Sequence, residues 1–139
     1  MTRCDLRVGV IGLGALGLPM AANLRRADVP MRVHTHHRNA ERDPNLLGAI
    51  TCATPAEAAE GVDVLLVCVS DNAAVEAVLF GANGASNQLA AGSVVVDCST
   101  IAPATAIASA QRLARQDVHY LDAPVTGGTE GAKAGSLLS

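Results

Sequence analysis

Residues 6–17, Leu6-Arg7-Val8-Gly9-Val10-Ile11-Gly12-Leu13-Gly14-Ala15-Leu16-Gly17, decide the fold. Leu6 to Ile11 is short, rich in β-branched residues and ends at Gly12, the pattern of a strand. Ala15 to Ala27 carries Leu16, Met20, Leu24 and Ala27 at helical spacing. The join between them fits G-x-G-x-x-G. Gly12 permits the tight turn out of the strand, Gly14 lets a pyrophosphate approach the backbone, and Gly17 lets the helix pack closely on the sheet. The helix start then offers N–H groups and the positive end of its dipole to the phosphates. Glycine-rich turns are common, so the motif alone is weak. Placed between a strand and a helix near the head of an alternating chain, it points to dinucleotide binding by Gly12, Leu13, Gly14, Ala15, Leu16 and Gly17 rather than to a purely structural turn.

Working outward, strands are expected at Met31–His36, Ala49–Ala53, Val62–Val69, Ser93–Asp97 and Val118–Leu121. Helices are expected after the Thr54-Pro55 cap, over Asn72–Leu79 and over Ala102–Arg115. The stretch from Asn39 to Asn45 is polar and has no clear pattern, and a glycine-rich segment follows Pro124. Val62–Val69 is apolar nearly throughout, as a strand covered on both faces should be. This alternation implies an α/β fold, a Rossmann-type doubly wound and mainly parallel sheet with helices on both faces. The expected strand order is 3-2-1-4-5-6. The chain reads as one domain, residues 1–139, cut short at its C-terminal end, where Leu137-Leu138 looks like the start of a further strand.

Composition sets the outer bounds. Hydrophobic residues make up 50% of the 139, and mean hydropathy is +0.30, which suits a folded core. Phe80 and Tyr120 are the only aromatic residues, so no stacking platform for bases exists. The net charge of -3 shows no dominant basic face, which argues against nucleic acid as a partner. The apolar runs are too short for a membrane span, and the first residues do not form a signal peptide. Cys4, Cys52, Cys68 and Cys98 are scattered singly, without a zinc or disulfide pattern, and suit a reducing cytoplasm.

About 20 residues beyond the glycine turn, a dinucleotide site reads the adenosine ribose. A site for NAD places Asp or Glu there. This chain has Thr35-His36-His37-Arg38, with no acid before Glu41. A hydroxyl, two imidazoles and a guanidinium suit a 2′-phosphate, so NADP is the expected cofactor, with NAD as the weaker alternative. The bland reading is an exposed loop of no consequence. His36 and His37, adjacent on an extended backbone, would face opposite ways, which disfavours a shared metal ion.

Three ordered stretches carry a resemblance. Residues 9–24 run Gly-Val-Ile-Gly-Leu-Gly-Ala-Leu-Gly-Leu-Pro-Met-Ala-Ala-Asn-Leu; residues 94–103 contain Asp97-Cys98-Ser99-Thr100-Ile101-Ala102-Pro103; residues 121–132 contain Asp122-Ala123-Pro124-Val125-Thr126-Gly127-Gly128. The chain resembles the β-hydroxyacid dehydrogenases, the group of 3-hydroxyisobutyrate dehydrogenase, tartronate semialdehyde reductase and 6-phosphogluconate dehydrogenase. The resemblance implies that Val69, Ser70 and Thr100 approach the cofactor. It also implies that Thr126, Gly127 and Gly128 hold a substrate carboxylate by hydroxyl and backbone N–H. Ser70 stands where the family commonly has Pro, Ala74 where some members have Asn, and Thr126 where Ser is usual. The Asp-Cys-Ser-Thr form is similar to the short hydroxyacid enzymes and unlike the 6-phosphogluconate branch.

The resemblance further implies a general acid/base Lys on a helix beyond the nucleotide domain. The only lysine is Lys133, inside the third stretch, and it reads as a solvated side chain. No catalytic residue is therefore assigned, and the family's C-terminal helical domain is expected to be absent. The implied activity is hydride transfer between NADP and a small 3-hydroxy acid or its semialdehyde. The alternatives are a stand-alone dinucleotide-binding module and an inactive remnant. Self-association through the truncated edge is also expected.

Overall fold

The computed structural model describes residues 5–36 and 38–138. Six strands form one sheet in the order β3-β2-β1-β4-β5-β6, and all neighbours run parallel. They are β1 Val8–Ile11, β2 Met31–His34, β3 Ile50–Thr51, β4 Val64–Val67, β5 Val94–Asp97 and β6 His119–Asp122. The helices are α1 Gly17–Arg26, α2 Pro55–Ala59, α3 Asn72–Phe80, α4 Pro103–Ala114 and α5 Gly128–Ala134. The expected strand order is thus observed, with strands shorter at their ends than the apolar runs that mark them. Val62, for example, already bonds back to Ala59 in a turn.

Alternate residues of each central strand feed two separate cores. Val8, Val10, Val33, Val64 and Leu66 pack with α1 on one face. Ile11, Leu65, Val67 and Val95 pack with α2, α3 and Leu113 of α4 on the other. Leu65, Val67 and Val95 are fully buried, each stabilising the fold by roughly 1.5–3 kcal/mol. With few aromatic side chains available, small residues bring the layers close. A Cβ on Gly9 would run into the Ala58 carbonyl of α2.

Local signals act as read at α2. The Thr54 hydroxyl accepts the Glu57 N–H (3.1 Å) while the Glu57 carboxylate accepts the Ala53 N–H (2.8 Å). This reciprocal capping starts a five-residue helix from a proline. Elsewhere the structure corrects the reading. Residues 39–45, expected to be irregular, fall largely within two short 3₁₀ helices, Arg38–Arg42 and Pro44–Leu46. The glycine-rich segment forms α5, entered through Gly127 at φ 123° and Gly128 at φ 60°, which favour glycine, and left through Gly135 at φ 72°. Leu138 pairs antiparallel with Thr126 in an isolated bridge instead of extending the sheet.

Candidate functional site: the glycine turn and the strand ends

Strand order reverses between β1 and β4, and the glycine turn emerges at that point. In open α/β sheets a dinucleotide lies in the crevice at the carboxyl ends of the strands, across this reversal. Gly12 has φ 100°, and its N–H donates to the His34 carbonyl (2.9 Å). A Cβ at Gly12 would strike the Cys68 carbonyl of the neighbouring β4 end, and one at Gly17 would strike the Gly12 carbonyl. These two glycines are required by the protein's own packing. Gly14 differs: nothing lies within 4 Å of where its Cβ would stand. It is exposed, as is Ala15, at the opening of α1.

The helix itself begins later than its periodicity suggests. Ala15 and Leu16 belong to the turn; Leu18 N–H bonds the Gly14 carbonyl (3.1 Å) and α1 starts at Gly17. Leu16, at the N-cap, makes no side-chain cap, and no acidic residue occupies the first turn. An uncapped, acid-free helix start behind an open glycine is the environment a pyrophosphate needs. The residues present fit a dinucleotide.

Thr35 is 5% exposed, and its hydroxyl accepts the Leu13 N–H (3.3 Å). That bond ties the end of β2 to the glycine turn. His36 is exposed. His37 lies outside the described residues, and Arg38 opens the first 3₁₀ helix. Glu41, the first acid after the strand, is buried in that helix at 8% exposure.

On the other side of the reversal, Ser70 and Thr100 are exposed at the ends of β4 and β5. Val69 N–H donates to the Ser99 hydroxyl (2.9 Å). Asp97 is fully buried: its Oδ1 accepts the Ser99 N–H (3.0 Å) and its Oδ2 accepts the Tyr120 hydroxyl (2.7 Å). Burial first, then the bond to Asp97, pushes the Tyr120 phenol far up. Burial likewise raises the thiols of Cys68 and Cys98, the latter to about 11. Cys98 is buried and Cys68 half-buried.

Thr126, Gly127 and Gly128 are exposed together at the start of α5. Thr126 N–H already donates to the Leu138 carbonyl (2.6 Å), so its hydroxyl, not its amide, is what it can offer a carboxylate. Lys133 is exposed in the last turn of α5, a helical position rather than the turn its flanking glycines suggest. Among the described residues no group of three or more His, Cys, Asp or Glu side chains could hold a metal ion. No helix of the described residues is long and apolar enough to cross a membrane.

Reading residue by residue missed the bonds between elements. Asn23 to Ala132, Ser99 to Val69 and Asn72 to Ala102 each join segments distant in sequence. Only the Asp97-x-Ser99 spacing, that of an aspartate accepting an amide two residues on, carries a local signal.

Fold and turn together define a dinucleotide-binding domain of the doubly wound class. Residues 7–139 match the family described as the NAD binding domain of 6-phosphogluconate dehydrogenase. The chain belongs to that family, and binding of a nicotinamide dinucleotide goes with it. The chain is 39% identical to 2-hydroxy-3-oxopropionate reductase of Escherichia coli, over 95% of its own length and 45% of that enzyme's. It superposes on 3-hydroxyisobutyrate dehydrogenase from Salmonella typhimurium with a TM-score of 0.87 at 35% identity, covering 96% of this chain and 46% of that one. A structure of Psf3 in complex with NADP+ and 2-OPP gives a TM-score of 0.87 at 36% identity, over 94% and 46%. The chain therefore spans less than half the length of these relatives, and what it matches in them is the dinucleotide-binding part.

Proposed function

We propose that this chain is the NADP-binding domain, residues 1–139, of an oxidoreductase of the 3-hydroxyisobutyrate dehydrogenase type. Such an enzyme moves hydride between NADP and a small 3-hydroxy acid or its semialdehyde. The observation that carries the reading is the contrast within the glycine turn: Gly12 and Gly17 are closed in by backbone, while Gly14 faces open space. Gly12 to Gly17 would cradle the pyrophosphate on the start of α1. His36, His37 and Arg38 would meet the 2′-phosphate, with Thr35 holding the turn. Val69, Ser70 and Thr100 would border the nicotinamide, which supplies the hydride chemistry. The Thr126 hydroxyl and the amides of Gly127 and Gly128 would hold the substrate carboxylate. Buried, unpaired thiols at Cys52 and Cys98 suit a cytoplasmic setting.

By itself the 139-residue chain binds cofactor and turns over no hydroxyacid. Positioned acid–base groups contribute about 10²–10⁴-fold, and the exposed Lys133 on α5 is poorly placed to act as one. The edge strand β6 leaves Leu121 54% exposed, a surface that a second copy can cover. Calorimetric titration with NADPH and NADH tests the cofactor reading. Tighter binding of NADPH is expected; failure to bind either would sink it. Turnover of small hydroxyacids by the purified chain would overturn the claim of inactivity, and a monomer at all concentrations in light scattering would overturn self-association.

A further inference from the structure

We infer that Ser99 and Asn72 are positioning residues, straps that fasten the turn after β4 to the turn after β5 so that the pair forms one preorganised seat for the nicotinamide half of the cofactor. The inference rests on the cofactor reading above and goes beyond it.

Each turn lacks a hydrogen-bonded ladder of its own beyond the strand ends. The last sheet bonds are Cys68 N–H to Ile11 and Cys98 N–H to Val67. Past that point two side chains cross the gap in opposite directions. Ser99, from the β5 turn, accepts the Val69 N–H of the β4 turn at 2.9 Å. Asn72, at the start of α3, accepts the Ala102 N–H at the N-cap of α4 at 2.8 Å. Asn72 satisfies an amide that a helix start leaves without a partner, and Ser99 satisfies an amide of the loop that leads into α3.

Ser99 is itself held from below. It is 2% exposed, and its N–H donates to Asp97, whose other oxygen takes the Tyr120 hydroxyl from β6. The chain of bonds runs β6 to β5 to β4 and ends at Val69. Above it the exposed Ser70 and Thr100 are displayed at the crest. The adenosine half belongs on the β2 side of the reversal, so this braced crest faces the other half. Fixing both turns before binding removes an ordering cost that the cofactor would otherwise bear.

The test compares NADPH with adenosine 2′,5′-bisphosphate, which lacks the nicotinamide half, by calorimetry on the full chain. Ser99→Ala and Asn72→Ala should each weaken NADPH binding by about threefold to tenfold, the range for one lost hydrogen bond. Adenosine 2′,5′-bisphosphate should bind each variant as it binds the unaltered chain. A merely structural loss would weaken both ligands alike, and that result, or no effect on either, overturns the inference. If Ser99→Ala does not fold, Asn72→Ala, a change at an exposed side chain, decides alone. An unaltered chain that fails to bind NADPH would overturn the cofactor reading itself and the inference with it.

Discussion

The Asn23 side chain on α1 donates its Nδ2–H to the carbonyl of Ala132 on α5, at 2.7 Å and across 109 positions of sequence. The helix behind the glycine turn is thereby tied to the helix that follows Thr126-Gly127. Gly135, which ends α5, sits against the same amide: its Cβ would stand 3.5 Å from the Asn23 nitrogen. The Oδ1 of Asn23 accepts from Arg26, which orients the amide for its task.

Asn23→Ala should therefore loosen α5 without disturbing the sheet. One partly buried hydrogen bond is worth about 0.5–1.5 kcal/mol. In hydrogen exchange, amides of residues 131–136 should lose protection by a factor that matches this energy, while β1 and β4 keep theirs. Equal loss of protection throughout would show that the contact supports the whole fold and does not specifically hold α5.

The three glycines of the turn should fail in different ways. Gly12→Ala and Gly17→Ala push a Cβ into backbone oxygen, and at Gly12 φ is 100° as well. Each should cost about 1–3 kcal/mol or more in stability, because backbone cannot step aside as a side chain can. Gly14→Val meets open space. It should leave the thermal midpoint nearly unchanged and abolish NADPH binding. Thermal unfolding and calorimetry on all three variants separate the two kinds of requirement. A Gly14→Val protein that binds normally would show that the cofactor does not lie on this turn.

This contrast shows what the sequence can carry. The sheet order was legible because apolar runs, glycines and prolines are local signals that report on one strand or one helix start. Gly12, Gly14 and Gly17 were legible as a motif, yet only the packing distinguishes the two that backbone closes in from the one that faces open space. Thr35 meets the same limit: only the structure shows its hydroxyl accepting the Leu13 N–H. A hydroxyl at the end of a strand can face solvent or its own neighbour, and nothing in the run Thr35-His36-His37-Arg38 tells which. Helix α5 was missed because six of the residues from 127 to 135 are glycine or alanine flanking Lys133, a composition that signals a loop until Asn23 gives it something to dock on.

Stability should fall with alkali earlier than for a fold with exposed thiols and phenols. Burial raises Cys98 from 9.0 to about 11 and raises Tyr120 as well. Both groups are neutral when protonated, and the folded chain holds those protons more tightly than the unfolded one. Between about pH 9 and 11 the folded state thus binds more protons, and the unfolding free energy declines as pH rises. Below the unfolded pKa the contribution is fully present. Urea midpoints should be level from about pH 7 to 8.5 and drop steadily above pH 9. Tyr120→Phe and Cys98→Ala should each flatten the slope. A midpoint that stays constant to about pH 11 would mean that both groups ionise freely in the folded protein.

The last prediction concerns cofactor choice. The sequence after β2 reads His36-His37-Arg38, and the first acid beyond it, Glu41, is buried in the following 3₁₀ helix. A free ribose 2′-hydroxyl needs an acceptor, whereas a 2′-phosphate needs donors and positive charge. Guanidinium is the stronger of the available groups because it is always charged and can bond two phosphate oxygens at once. Arg38→Ala should cost NADPH about 1.5–3 kcal/mol, the range for a hydrogen bond to a charged group, or about ten- to a hundredfold in affinity. NADH has no 2′-phosphate to lose contact with, and its affinity should barely change. Arg38→Lys should recover part of the loss, since it restores the charge but not the paired geometry. Calorimetry with both nucleotides on the three proteins decides the matter. Parallel losses for NADPH and NADH in Arg38→Ala would remove the 2′-phosphate role and leave Arg38 as a residue of the loop's own structure.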